Sequence, residues 1–167
     1  SLIKSEGPLF DESQFRIIPI PQSMEWTKDV FCSGKTDIPV YLTKNESSQR
    51  VFDRIQADFP GCTFRPKPSL NDDGLVAVFG DATKLPSGFM ADMKKEKKLS
   101  AEGYYLDVDK DRIVLVGKDE VGFYYGFQTL RQIWKSTPTG VSVDGVKITD
   151  FPSLSMRGLY LHRLGKN

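Results

Sequence analysis

The chain has 167 residues, 39% of them apolar and 27% charged, with 23 Lys and Arg set against 22 Asp and Glu. That length suits one domain with a real core and excludes a complete large α/β barrel, while the balanced charge gives no general positive field to hold nucleic acid. No apolar run approaches the roughly 20 residues of a membrane-spanning helix, and the opening SLIKSEGPLFDESQF lacks the basic-then-apolar order of a signal peptide, so the expectation is a soluble protein, cytosolic or with its leader removed.

In chain order, FRIIPIPQSMEW (15–26) alternates apolar residues with two prolines, which suits an edge strand or extended lead-in because proline offers no ladder donor. DIPVYLT (37–43) reads as a second short strand. From Asn45 the period changes: Val51, Phe52, Ile55 and Phe59 share one side at helical spacing, with Asn45 or Ser47 as cap and Pro60-Gly61 as stop, a helix of about four turns. Leu75 to Gly80 is a compact apolar run closed by glycine, a buried strand. The stretch 81–103 is polar and broken by Pro and Gly, and reads as a surface loop whose KKEKK run is solvated rather than polyanion-binding.

GYYLDVDKDRIVLVG (103–117) is the clearest local signal: two β-rich runs flank Asp109-Lys110-Asp111, a β-hairpin. After it, Phe123, Phe127, Leu130 and Trp134 recur at steps of four, three and four behind a capping Asp119, a helix ended by Pro138 and Gly140. Gly122 and Gly126 lie four apart on that helix, which is most simply explained by its backbone lying close on a sheet. Val141, Val143, Val146 and Ile148 mark a final strand, with Asp144-Gly145 able to turn within it. The sum, β-β-α-β-β-β-α-β, implies an α+β fold: an antiparallel or mixed β-sheet with two helices packed on one face.

Local motifs of chemistry fail on inspection. SGKTD lacks the leading glycine of a phosphate loop, since Asp29 stands there. Asp107, Asp109 and Asp111 make D-x-D-x-D, but Arg112 and Lys118 occupy the positions where a calcium loop needs glycine and a bidentate Glu. His162 is the only histidine, no serine or cysteine sits in a nucleophile-elbow context, and no metal site or cofactor is expected. Asn45-Glu46-Ser47 fits a glycosylation triplet but overlaps the helix start, and Cys32 and Cys62 read as unlinked small apolar residues.

Taken together, EGYYLDVDKDRIVLVGKDEVGFYYGFQTLRQIW and VKITDFPSLSMRGLYL resemble the N-terminal domain of glycoside hydrolase family 20, the β-N-acetylhexosaminidases. There a hairpin leads into a helix of pattern G-x-F/Y-Y-G-x-Q-T-L, and a last strand runs through D-x-P-x-x-x-x-R-G into a catalytic barrel. IIPIPQSMEW is similar to that family's proline-bearing first strand. The resemblance implies a non-catalytic accessory domain over 1–150, then a linker and the first strand of a (β/α)8 barrel over 151–167, the barrel of the same polypeptide being its partner. The parent chemistry it implies is retaining hydrolysis of a terminal N-acetylhexosamine assisted by the substrate's own acetamido oxygen.

Under the same resemblance the catalytic Asp-Glu pair belongs to the barrel. Asp119-Glu120, although adjacent, precedes the accessory helix and reads as a helix N-terminus. Arg157, in the R-G position, is implied to contact hydroxyls of the sugar, a role its fixed fork of donors suits. Family members carry Asp where this chain has His162. A periplasmic or secreted location is also implied. Two other readings stand beside this one: an O-GlcNAcase-like or α-glucuronidase-type glycosidase sharing the same N-terminal layer, and a freestanding carbohydrate-binding module stacking sugars on Trp26, Trp134, Tyr104, Tyr105, Tyr124 or Tyr125.

Overall fold

A computed structural model describes residues 21–92 and 99–150. The elements run β1 (Ser23–Ser33), β2 (Asp37–Leu42), α1 (Glu46–Ile55), β3 (Thr63–Pro66), β4 (Ala77–Asp81), α2 (Ser87–Asp92), β5 (Tyr104–Val108), β6 (Ile113–Gly117), α3 (Glu120–Ile133), β7 (Trp134–Ser136) and β8 (Val141–Asp150). Among the described residues eight strands form one sheet in the order β1-β8-β5-β6-β4-β2-β3, with β7 also paired to β8. The β2–β3, β2–β4 and β4–β6 pairs are parallel, whereas β5–β6, β5–β8, β1–β8 and β7–β8 are antiparallel, so the sheet is mixed. The α+β expectation stands.

The strict alternation of β4, β5 and β6 divides the core in two. Ala77, Phe79, Tyr104, Leu106, Val108, Ile113 and Leu115 face α1 and α3; Val78, Tyr105, Val114 and Val116 face the other way. On the helical side Phe52, Phe59, Phe64, Phe79, Phe123 and Phe127 interlock with Trp134, ring centroids closing to 4.9 Å for Phe59–Phe127 and 5.1 Å at 84° for Phe59–Trp134. Edge-to-face contacts of this kind add to the roughly 1.5–3 kcal/mol gained by burying each such side chain. On the opposite side Leu85 and Leu99, with Phe89 and Met90 of α2, cover the second set. Both faces of the central strands are therefore buried, as their unbroken apolar runs require.

Several details differ from the sequence expectation. Strand β1 runs on to Ser33, seven residues beyond Trp26, with a register shift between Trp26 and Val30; residues 15–20 of the expected lead-in lie outside the described set. Asp144-Gly145 makes no turn. The strand passes straight through, and its buried phase slips between Val143 and Val146, because a β1 bulge crosses there and a Cβ on Gly145 would meet Thr27 Oγ1 at 2.2 Å. Strand β3 was unexpected, its apolar content being a single Phe64 between prolines and charges. Helix α2 lies inside the expected loop.

Helix α1 ends sooner than its apolar spacing suggests: a 3-10 turn over Gln56–Asp58 follows Ile55, and Arg131 Nε of α3 donates to the Asp58 carbonyl at 2.6 Å. Trp134 leaves the helix. Its backbone is extended (φ −75, ψ 128) because it pairs with Val143 in the sheet while its ring fills the aromatic cluster. A lone Trp at helical spacing cannot announce that choice.

Candidate functional site

Helix α3 is built to lie close on the sheet. A Cβ on Gly126 would meet Leu115 Cδ1 at 2.4 Å and the Tyr104 ring at 2.9 Å, and one on Gly122 would meet the Gly103 carbonyl oxygen at 2.2 Å. The expected role of both glycines, close helix-on-sheet packing, is what the geometry shows. Asp119 caps the helix with one oxygen, accepting from Gly122 N at 2.9 Å, and holds Glu102 N with the other at 2.9 Å. Glu102 has φ 63, a left-handed conformation that this second bond helps to hold.

Seating α3 deeply, beside α1, leaves the outward faces of both helices as a groove of about 500 Å3. Its walls are Arg50, Val51 and Arg54 from α1 and Glu120, Val121, Tyr124 and Tyr125 from α3. Arg50 Nε bridges to Glu120 Oε1 at 2.8 Å and its Nη1 lies 3.6 Å from Glu46 Oε2. Arg54 places its guanidinium 5.0 Å from the centre of the Tyr124 ring, whose hydroxyl accepts from Gln128 Nε2 at 2.9 Å. Among the described residues no carboxylate pairs with Arg54. Sequence reasoning did not find this groove, although Arg50 and Arg54 four apart opposite a Tyr-Tyr pair were its visible signal.

The described residues end at Asp150, which pairs with Tyr104 and so lies at the same end of the sheet as Gly117. Gly103 carries its Cβ position to 2.9 Å from the Asp150 carbonyl oxygen and its own carbonyl against Gly122. Asp150, buried, accepts from Gln22 N at 3.2 Å, pinning the end of β8 to the lead-in of β1. Asp150 is therefore close to Gly103, whose carbonyl lies against the first turn of α3.

The other predicted residues divide cleanly. Tyr104, Tyr105 and Trp134 are buried, while Trp26, Tyr124 and Tyr125 are each half-buried against the core, and of these Tyr124 and Tyr125 line the groove. The Tyr104 hydroxyl is hydrogen-bonded to Thr129 Oγ1 at 2.7 Å inside the core. Asp109 Oδ1 accepts from Asp111 N and Arg112 N, both at 2.8 Å, which is a hairpin turn. Asn45 donates to Ser47 Oγ at 2.7 Å and Asp81 Oδ2 at 3.3 Å, part of a polar knot with buried Thr43 and Ser48 at the ends of β2 and β4. Cys32 and Cys62 are both free thiols, Cys32 exposed, and burial pushes Cys62 up to about 11.

Among the described residues no group of three or more His, Cys, Asp or Glu side chains is placed to hold a metal, and no helix is long and apolar enough to cross a membrane. Arg157 and His162, with the expected linker and barrel strand, lie outside the described residues.

Comparison with known proteins agrees with this fold. A β-hexosaminidase of Porphyromonas gingivalis is 28% identical over 138 residues, covering 74% of this chain and 18% of that protein. A β-hexosaminidase of Streptomyces plicatus has the same fold, with a TM-score of 0.61 at 21% identity over 82% of this chain and 26% of its own. A β-N-acetylhexosaminidase of Bacteroides fragilis gives a TM-score of 0.52 at 24% identity over 81% of this chain and 24% of its own. The chain thus spans about a fifth to a quarter of the length of these relatives. Residues 14–151 match the family model described as glycosyl hydrolase family 20, domain 2, and over that span the chain belongs to this family as its domain 2.

Proposed function

We propose that this chain supplies the non-catalytic accessory domain of a larger retaining β-N-acetylhexosaminidase, covering residues 1–150. In this reading 151–167 form the linker and first strand of a (β/α)8 barrel in the same polypeptide. The observation that carries it is the domain-2 match over residues 14–151, in a chain that spans only 18% of its curated hexosaminidase relative. The polar groups agree: Asp119 is spent on a helix cap, Glu120 on Arg50, and Asp109 on a turn. No acid, base and nucleophile converge among the described residues, and the domain's work is to hold and shield another.

The barrel of the same polypeptide packs on the α1–α3 face, whose groove is lined by Arg50, Arg54, Tyr124 and Tyr125. Arg157, seven residues past Asp150, binds hydroxyls of the terminal N-acetylhexosamine in the barrel mouth. The enzyme works in the periplasm or outside the cell. A freestanding sugar-binding module is disfavoured by the burial of Tyr104, Tyr105 and Trp134, and the family match favours a hexosaminidase over the other glycosidases considered.

The test is hydrolysis of a chromogenic aryl N-acetyl-β-hexosaminide by the polypeptide extended through its downstream sequence, beside the 167-residue chain. Turnover confined to the extended protein, and lowered by Arg157→Ala, is expected. Turnover by the 167-residue chain itself would overturn the assignment.

A further inference from the structure

The carboxylates around the α1–α3 groove are unevenly shared between its two arginines. Arg50 is matched by Glu120 at 2.8 Å and by Glu46 at 3.6 Å, whereas Arg54, a turn further along α1, has no carboxylate partner among the described residues. Its guanidinium carbon lies over the Tyr124 ring, 5.0 Å from the centroid, and the ring's hydroxyl is held in turn by the bond from Gln128. A cation over a ring gives its N–H donors no acceptor oxygen of the kind a carboxylate would supply. Arg and Tyr in this arrangement, beside an exposed Val121, have the composition of an interface anchor.

Resting on the docking proposed above, we infer that the downstream part of the same polypeptide presents an Asp or Glu side chain to Arg54 when it covers this groove. Covering the groove strips water from both arginines. Arg50 brings its counter-charge with it, but Arg54 would be left as an unpaired buried cation, which is strongly unfavourable. A carboxylate in the guanidinium plane satisfies the charge and two donors together. The occupant is argued from the family's domain organisation and from continuity, since Asp150, the last described residue, lies beside Gly103, whose carbonyl lies against Gly122 in the first turn of α3.

The experiment uses the full polypeptide carrying Arg54→Lys, treated with a zero-length carbodiimide that couples an amine to a touching carboxylate, and peptide mapping of the product. A second variant, Val121→Cys, reports whether the groove is covered, with exposed Cys32 as the internal reference for thiol labelling. The expected result is a crosslink from the new amine to an Asp or Glu past residue 167, since 151–167 contain neither, and labelling at position 121 about tenfold or more slower than at Cys32, as a water-excluding contact requires. A protected thiol with crosslinks only to Glu46, Glu120 or nothing overturns the acidic partner while leaving the docking in place. A thiol that labels as fast as Cys32 overturns both. A crosslink joining two copies assigns the groove to self-association and overturns the inference.

Discussion

Two glycines show how position reverses the sign of one substitution. In a helix Gly→Ala ordinarily gains up to about 1 kcal/mol from backbone entropy. At Gly122 the new methyl would stand 2.2 Å from a backbone oxygen of Gly103, which cannot rotate away, so α3 must lift. We predict that Gly122→Ala lowers the unfolding free energy by about 1–3 kcal/mol, the usual cost of overpacking, whereas exposed Gly88→Ala in α2, with nothing within 4 Å, is neutral or gains up to about 1 kcal/mol. Urea midpoints of the two variants read the contrast, and a loss at Gly88 matching that at Gly122 would refute the packing argument. Cys62 carries a second prediction at this scale. Its thiol is raised from 9.0 to about 11 by burial, so between those values the unfolded chain has released the proton that the folded chain keeps. The unfolded state then binds fewer protons, and stability falls as pH rises through that window. Tyr105, raised from 10.0 first by burial and then by the charge of Asp107, bends the curve the same way from about 10 upward. Cys62→Ala should remove the part of the decline that begins near pH 9 and leave the part that Tyr105 adds from about 10; urea titrations at pH 8, 9 and 10 isolate the first, and an unchanged slope between 9 and 10 would rule Cys62 out.

At the scale of elements, what the sequence disclosed follows from how local each determinant is. The hairpin of β5 and β6 was legible because its strands and its Asp109 turn are contiguous, and α3 was legible because the Asp119 cap and the apolar period both lie within it. The Gly122 and Gly126 pair also spoke for itself, since glycines on a shared helix face demand a close neighbour. Strand β3 was hidden because it is set by a distant partner: the β2 ladder recruits Thr63–Pro66 whatever their propensity, with Arg65 held to Asp37 at 2.6 Å. The same reason hides β7, where pairing with β8 overrides the helical spacing of Trp134. The Asp144-Gly145 pair was misleading because its turn signal is also that of a strand needing room for a bulge. The groove was the least legible feature, since it exists only where two helices 65 residues apart in sequence, from Ile55 to Glu120, are brought side by side by the sheet between them.

For the molecule as a whole, the two faces of the sheet are not equivalent. The second face is covered by the chain's own Leu85, Phe89, Met90 and Leu99, which close over Val78, Val114 and Val116. The helical face is closed below, by the aromatic cluster, but left open above, where the groove presents Tyr124, Tyr125 and Val121 to the surface. Val121 is 40% exposed and Val30, on the edge strand β1, is 43% exposed, so by themselves the two sites look alike. If the α1–α3 face seats the barrel they cannot behave alike. Placing a carboxylate at either site costs little while the site is in water, and much more where the side chain is buried against a partner with no positive charge to spare. We therefore predict that Val30→Asp shifts the unfolding midpoint by a similar small amount in the 167-residue chain and in the extended polypeptide. Val121→Asp should leave the 167-residue chain nearly unchanged yet destabilise the extended protein by about 1–3 kcal/mol, the penalty of an unsatisfied buried polar group. Chemical unfolding of all four proteins measures this difference of differences. Equal effects of Val121→Asp in the two lengths of chain would show that the face stays open to water, and would move the contact with the barrel to another part of the domain.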